Sequence, residues 1–289
     1  MSWKFKASKY KNTAPIEPKK ELHIRDLSIG AYNTGKNMEL SLNLELCTTM
    51  FISLAGNYIA ASGAYMAFNW DKTGSSLALL PLNATGRQDR SMIRRVHGHS
   101  EIVTDFAFSP FDDGLLATGS ADQKIKLWRL PSGGLTGDIT VPELELPEQP
   151  RRVETVSWHP TADCILTTSS GDAVTLWDCM GGAGVWQGEE ASDQIQSVAW
   201  QYETGKLLAT NAKDKRLRVY DPRAGAGVVQ DTPSHDGMKD SKVVWVGEDR
   251  ILTSGFSVDR NRQLILRDTR KIGAPLQTMD LDLSAGNFK

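Results

Sequence analysis

A sequence unit of roughly 40–50 residues occurs four times in this chain, and this repetition constrains the fold more than any other feature. The clearest copy, residues 97–130, starts with the pair Gly98-His99 and continues with three short apolar stretches separated by turns rich in Gly, Pro and Asp. The further copies occupy residues 153–178, 195–222 and 241–270. Short apolar stretches between such turns predict β-strands. A single small sheet cannot bury both of its faces, so the copies are expected to stack against one another.

The four copies resemble the blades of WD40 β-propellers. In such blades a loop histidine, a strand serine or threonine, a turn aspartate and a strand tryptophan share buried hydrogen bonds. The corresponding residues of the first copy are His99, Thr118 or Ser120, Asp122 and Trp128. In the next two copies the turn acid and the aromatic are Asp172 with Trp177 and Asp214 with Tyr220. Only the first copy has Gly-His, and the last has Arg267 in place of the aromatic, so the sequence predicts one complete cluster.

The repeat therefore predicts an all-β chain organised as a WD40 β-propeller. A degenerate further blade is predicted ahead of the four copies, which gives about five blades. The predicted organisation is a basic N-terminal segment at 1–30, a degenerate first blade with an insertion at 31–90, four WD40 blades at 91–280 and a tail at 281–289.

The stretches that connect the copies were assigned by composition. Residues 139–146 are a candidate outer strand, whereas residues 183–193 and 224–235 are Gly-rich or polar and are predicted to be surface loops. Residues 46–70 carry no charge over 25 residues, a length that could form a transmembrane helix. Gly56 and Gly63 divide this stretch into strand-sized pieces, which favours buried strands of the first blade.

Composition limits the classes of function. The chain has 289 residues and a net charge of −2, and this near-neutral balance argues against nucleic-acid binding, which needs concentrated Lys and Arg. Cys47, Cys164 and Cys179 lack the spacing of a metal site or a disulfide framework, which favours a reducing compartment. The basic N-terminus has no apolar core of the kind that a signal peptide needs. These features predict a cytoplasmic protein.

No catalytic, metal or cofactor motif is complete in the sequence. Residues 30–37 approach a phosphate-binding loop, but Asn37 stands where the motif needs a hydroxyl, so nucleotide binding is the weakest alternative. His97 and His99 lack a third ligand. Asp112 and Asp113 are adjacent turn residues whose side chains are expected to diverge. We therefore expect a protein that is not an enzyme and needs no cofactor or metal.

Several motifs resemble those of the coronins, a family of actin-associated WD40 propellers. The motifs lie at residues 8–12, 103–131, 158–162, 213–223 and 252–257. The stretch 103–131 is most similar to the long, tandem-propeller branch of the family. The resemblance implies a seven-bladed propeller, of which this chain would contain about five blades in an incomplete ring. It also implies a non-catalytic scaffold of the actin cytoskeleton, linked to traffic from the Golgi to endosomes.

The resemblance implies filamentous actin as the partner and a location in the cytoplasm, at the cytoskeleton and the Golgi. The candidate contacts are basic residues: Arg25, Lys213, Lys215, Arg216 and Arg218. One departure weakens this assignment, because Asp26-Leu27-Ser28 stands where the family generally has Asp-Ile-Arg. An alternative is a WD40 adaptor for membrane traffic or ubiquitin ligase assembly that does not bind actin directly. Peripheral membrane association stays open, whereas no membrane span is expected.

Overall fold

The computed structural model describes residues 57, 59–70, 74–84 and 93–281, together with the backbone of two-residue strands at 24–25, 27–28, 44–45 and 86–87. Within these residues the secondary structure is almost entirely β-strand, with one 3-10 helix at Thr269–Lys271. Five four-stranded antiparallel sheets follow one another along the chain, and we number them blades 1 to 5. The predicted all-β propeller with five blades in an open ring is thus confirmed.

Each blade is built from four strands in chain order. Blade 1 contains Ile59–Ala61, Tyr65–Asn69, Ser76–Pro81 and Arg94–His97. Blade 2 contains Val103–Phe108, Leu115–Ser120, Ile125–Arg129 and Leu144–Glu145. Blade 3 contains Val153–Trp158, Ile165–Ser170, Ala173–Asp178 and Ala183–Gln187.

The last two blades have the same order. Blade 4 contains Ile195–Trp200, Leu208–Ala212, Arg216–Tyr220 and Val228–Pro233. Blade 5 contains Lys242–Trp245, Arg250–Phe256, Arg262–Asp268 and Pro275–Asp280. The two-residue strands form two parallel pairs, Ile24–Arg25 with Gly86–Arg87 and Leu27–Ser28 with Leu44–Glu45.

The first strand of each blade contacts the first strand of its neighbour, so these strands line the centre of the propeller. We call the edge with the turns between second and third strands the upper face, and the opposite edge the lower face. The upper turns share one device: a residue with positive φ, which permits a sharp reversal. These residues are Gly74, Gln123, Gly171, Lys215 and Arg260.

The hydrophobic core lies between blades rather than within them. Phe106, Leu116 and Trp128 of blade 2 pack with residues of blade 1, and other residues of blade 2 pack against blade 3. Tryptophans tie neighbouring inner strands together: Trp158 Nε1 donates to the carbonyl of Ala107 at 2.9 Å. Because the middle strands of blades 1 to 4 are largely buried on both faces, stability depends on stacking, as in other repeat folds.

The two end blades differ in the exposure of their outward faces. In blade 1 this face carries a buried cluster that includes Met66, Phe68 and Trp70. In blade 5 the corresponding face leaves Val244 51% and Met279 44% exposed. Blade 5 therefore has an apolar face that the described residues do not cover.

Three sequence-based assignments need correction. Residues 183–193 and 224–235 were predicted to be loops, but they contain the outer strands Ala183–Gln187 and Val228–Pro233. Blade 1 also extends beyond residue 90, because its fourth strand is Arg94–His97. The outer strands were missed because their side chains are mostly exposed and show no apolar alternation.

Other predictions fall partly on undescribed residues. In the uncharged stretch 46–70, Ile59–Ala61 and Tyr65–Asn69 are strands, and residues 46–56 lie outside the described set. Most of the tail 281–289 and of the insertion in the first blade also lies outside it. Among the described residues, no helix has the length and apolarity needed to cross a membrane.

Candidate functional site

The polar cluster of blade 2 joins a loop and two strands. His99 Nε2 lies 2.7 Å from Thr118 Oγ1, and Trp128 Nε1 donates to the same hydroxyl oxygen at 2.9 Å. On its other side the imidazole Nδ1 lies 2.9 Å from Asp122 Oδ2. The rings of His99 and Trp128 also meet edge to face, with centroids 6.3 Å apart. All polar ring atoms of this cluster therefore have hydrogen-bond partners, so burying the cluster leaves no desolvation penalty uncompensated at these atoms.

Asp122 completes this cluster from the upper turn. Its carboxylate also accepts the backbone N–H groups of Ser100 and Lys124, at 3.0 and 3.1 Å. Burial alone raises the pKa of Asp122, but the His99 hydrogen bond and charge and the two N–H donors outweigh burial and lower the pKa to about 2. Ser120 lies outside the histidine contacts. Its hydroxyl donates to the carbonyl of Ile102 at 2.9 Å and accepts the Asp122 N–H, so it positions the turn.

Blades 3 and 4 keep only parts of this arrangement. In blade 3 Trp177 Nε1 donates to Thr168 Oγ1 at 2.9 Å, while Asp172 lies 3.8 Å from an Arg151 guanidinium nitrogen. In blade 4 the Tyr220 hydroxyl donates to the carbonyl of Glu189 at 3.1 Å. Asp214 forms an ion pair with Arg218, four residues further on. Neither pair is joined to a histidine by a described hydrogen bond.

Blade 5 contains a second histidine cluster that sequence reasoning missed. His235 Nε2 lies 3.0 Å from Thr253 Oγ1, and Arg267 donates a hydrogen bond to that oxygen at 3.1 Å. A second guanidinium nitrogen of Arg267 donates to the carbonyl of Pro233 at 2.8 Å. His235 had been assigned only to a polar loop, although its spacing to Thr253 (18 residues) nearly matches that from His99 to Thr118 (19 residues). This spacing was the available signal.

The five candidate contact residues do not form one surface. Lys213 and Lys215 are exposed on the upper turn of blade 4, and neither forms an ion pair with a carboxylate among the described residues. Arg216 pairs with Asp231 at 2.8 Å. Arg218 is only 6% exposed, so its assignment to a contact surface is wrong: both faces of its strand are buried. Arg25 belongs to the strand Ile24–Arg25, and its side chain lies outside the described set.

Asp105, which no sequence pattern marks, joins blade 2 to blade 3 and to Asn57, just ahead of blade 1. Its carboxylate accepts the N–H of Asn57 and of Val156, each at 2.7 Å, and the N–H of Phe106 at 3.0 Å. Burial raises the pKa of Asp105 to about 6, although these donors and the charge of Lys242 oppose the shift. The side chain therefore acts as a tie between blades.

Among the described residues, the two other histidines and the paired acids are engaged in structural contacts. His97 Nδ1 lies 2.7 Å from Ser76 Oγ, away from the His99 contacts. His159 stacks on Trp200 with ring centroids 4.3 Å apart. Asp112 forms an ion pair with Arg129, whereas Asp113 accepts the Gly63 N–H at 2.7 Å, so these two carboxylates have different partners.

The described residues contain no group of three side chains suited to a metal ion. The phosphate-loop candidate at 30–37 lies outside the described set.

The fold and this repeated polar cluster define the chain as a WD40 propeller protein. A family model described as "WD domain, G-beta repeat" matches residues 90–129, and one described as "Domain of unknown function (DUF1899)" matches residues 34–87. A solved structure of the WD40 domain from Toxoplasma gondii coronin superimposes with a TM-score of 0.77 at 29% identity. The match covers 84% of this chain and 62% of that one.

Sequence relatives identify the family. Coronin-7 of Bos taurus is 37% identical over 282 residues, and coronin-like protein crn1 of Schizosaccharomyces pombe is 33% identical over 288 residues. These matches cover 97% and 96% of this chain. The chain belongs to the coronin family. It spans 28% of the length of the bovine relative and 43% of the yeast one.

Proposed function

We propose that this coronin-family scaffold binds filamentous actin through the upper face of its propeller and so contributes to filament organisation. The observation that carries the proposal is the pair Lys213 and Lys215 on the upper turn of blade 4. Lys215 Nζ donates to the backbone carbonyl of Asp236 at 2.7 Å, and Lys213 Nζ donates to the side chain of Gln194. These contacts fix the ammonium groups without neutralising them, so both charges can face an acidic partner.

The backbone conformation of the turn also contributes to the exposed position of Lys215. Its φ is 65°, and Asp214 accepts the N–H of Arg216 at 3.1 Å, which closes the turn. Asp214, which lies between the two lysines in the sequence, is paired with buried Arg218, whose positive charge offsets that of the carboxylate. Arg218 therefore supports the proposed surface without contacting the partner.

The test is co-sedimentation of the purified chain with filamentous actin across a salt series, with its monodispersity checked separately. The double variant Lys213→Glu/Lys215→Glu should bind roughly tenfold more weakly, and its binding should depend less on salt. The matched control is Lys206→Glu/Lys271→Glu, which makes the same charge change at exposed positions of lower-face turns. Equal pelleting of both variants would show that the upper turn is not the contact.

A second candidate is an adaptor for membrane traffic or ubiquitin ligase assembly that does not touch actin. The residues Asp26-Leu27-Ser28 favour it, because the serine stands where the family generally has an arginine. A pull-down with the intact chain should then recover coat or ligase subunits without actin. Recovery of actin alone would exclude this candidate. The link to Golgi-to-endosome traffic and the location at the cytoskeleton and the Golgi, which the family resemblance implies, remain part of the first proposal.

A further inference from the structure

Two cysteines of blade 3 lie opposite each other, one residue beyond the ends of the neighbouring strands Ile165–Ser170 and Ala173–Asp178. The antiparallel register pairs Ile165 with Asp178, and the next residues outward are Cys164 and Cys179. The Cys179 N–H donates to the carbonyl of Cys164 at 2.9 Å, which continues the ladder to this pair. Opposed residues of an antiparallel pair have Cα atoms about 4.5–5.5 Å apart. A disulfide spans Cα separations of about 4.4–6.8 Å, so the backbone already suits a bridge.

The backbone of Cys164 is unusual for a residue with a side chain. Its φ is 59°, in the left-handed region, where a Cβ atom crowds the following carbonyl oxygen. The corresponding lower turns of blades 4 and 5 place Gly205 and Gly247 in this region. Both thiols are free and partly buried, and Cys164 Sγ lies 3.5 Å from a carboxylate oxygen of Asp163. The cysteine thus occupies a position for which turn geometry prefers glycine.

We propose that Cys164 and Cys179 form an oxidation site, which a peroxide converts into an intrachain disulfide. The thiolate of Cys164, the less buried of the two, would attack one peroxide oxygen and become a sulfenic acid, with release of the first water molecule. The sulfur of Cys179 would then attack the sulfenic sulfur, form the S–S bond and release the second water. Two thiols and one hydrogen peroxide thereby give one disulfide and two waters.

The surroundings of the thiols set the conditions for this reaction. Burial, followed by the neighbouring charges, raises the pKa of Cys179 to about 12. Burial and the adjacent Asp163 carboxylate also raise the pKa of Cys164. Because the thiolate is the reactive form, oxidation should be slow at neutral pH and faster in mild alkali. Such a pair responds to sustained oxidation rather than to brief exposure.

The site is independent of the proposed actin contact. Cys164 and Cys179 lie on the lower face of blade 3, whereas Lys213 and Lys215 lie on the upper face of blade 4. A bridge would close a loop of 16 residues that contains the two middle strands of blade 3. It would therefore restrain opening of that blade without changing the charge of the upper face.

The experiment treats the reduced, folded chain with hydrogen peroxide at pH 7 and pH 8.5 and counts the remaining thiols by alkylation and mass spectrometry. The chain has three cysteines. We expect the free thiols to fall from three to one, and oxidation to be about tenfold or more faster at the higher pH. Digestion at Asp172 and Asp178 should yield two peptides joined by a reducible bond. Reduction with dithiothreitol should restore three thiols.

Three variants identify the bridge. On peroxide treatment, the Cys47→Ser variant should still lose its two remaining thiols, those of Cys164 and Cys179. The Cys164→Ser and Cys179→Ser variants should show no intrachain bridge. The proposal is overturned if Cys47 is found in the disulfide, if the two cysteines oxidise separately to sulfinic acids, or if all three thiols survive in the folded chain. Because the assay involves no actin, its outcome is separate from that of the co-sedimentation test.

Discussion

Blades 2 and 5 hold the same histidine–threonine contact, but they surround it with different chemistry. The distance from the histidine Nε2 to the threonine Oγ1 is 2.7 Å in blade 2 and 3.0 Å in blade 5. The second donor to the hydroxyl is a neutral tryptophan in blade 2 and the guanidinium of Arg267 in blade 5. Asp122 supplies a carboxylate in blade 2, whereas the acid of the blade 5 turn, Asp259, is exposed.

The comparison shows that hydrogen-bond geometry can be retained while the electrostatic balance is lost. Arg267 is 4% exposed and has no carboxylate partner among the described residues, and burial alone lowers its pKa. Within the part of the chain that the structure describes, neither its Nε atom nor the Nδ1 atom of His235 has a hydrogen-bond partner. Uncompensated burial of a charge costs several kcal/mol. Blade 5 should therefore be held less tightly than blade 2, and its outward apolar face is open as well.

The largest expected effect is the loss of the blade 2 indole. Trp128→Ala removes a fully buried side chain and the donor to Thr118, so the free energy of unfolding should fall by about 3–5 kcal/mol. Arg267→Ala removes packing but also a buried charge, so its cost should be smaller. Urea unfolding of both variants, followed by far-ultraviolet circular dichroism, gives the two values. Equal losses would contradict the difference drawn between the blades.

A smaller change in stability, of opposite sign, is expected when the arginine of the blade 5 cluster is replaced by the tryptophan found in blade 2. Arg267→Trp keeps an N–H donor for Thr253 and replaces a buried cation with an apolar ring. The free energy of unfolding should rise by about 1–3 kcal/mol, because replacing buried charge with packed apolar groups is often stabilising by this amount. The matched control is Arg270→Trp, at an exposed position nearby, which should change stability little. Destabilisation by Arg267→Trp alone would show that this pocket is shaped for the guanidinium.

The blade 2 cluster could be predicted from sequence because its residues follow the pattern of the repeat. The strands Val103–Phe108 and Leu115–Ser120 are two of the three short stretches predicted within residues 97–130, because alternating apolar residues and strong turn residues delimit them. The cluster of blade 5 was missed because the pattern identifies donors by residue type. In the structure, a guanidinium fills the role of an indole N–H.

Long-range features were not accessible from local patterns. Asp105 lies within an ordinary apolar strand, and its role depends on the N–H groups of Asn57 and Val156, which are 48 and 51 residues away. Arg218 was assigned to the surface because it lies in a highly charged stretch. Its burial depends on the packing of blade 4 between two neighbours, which no local pattern reports.

The smallest effect on stability is expected from the Asp122 carboxylate, which contacts the histidine of blade 2 and has no counterpart at the histidine of blade 5. This effect should depend on pH. The pKa of Asp122 is about 2 in the folded chain, below its ordinary value of 3.8. A depressed folded-state pKa contributes stability that is complete above pH 5 and declines as the pH falls through 4 toward 2. Asp122→Asn should therefore cost on the order of 1–2 kcal/mol at pH 7, and this cost should shrink toward pH 3.

The free energies of unfolding of the Asp122→Asn variant and the parent must be compared at each pH, because the contribution of Asp105 to stability changes with pH in the opposite direction. Its pKa is raised to about 6, so its contribution to stability declines as the pH rises from about 4 to 6 in parent and variant alike. Urea unfolding at pH 3, 5 and 7 isolates the Asp122 contribution by difference. Asp259→Asn, at an exposed position of the blade 5 turn, serves as the control for the substitution itself and should change stability little. A cost of Asp122→Asn that stays constant from pH 7 to pH 3 would mean that Asp122 acts through shape and hydrogen bonding alone, and that charge does not distinguish the two blades.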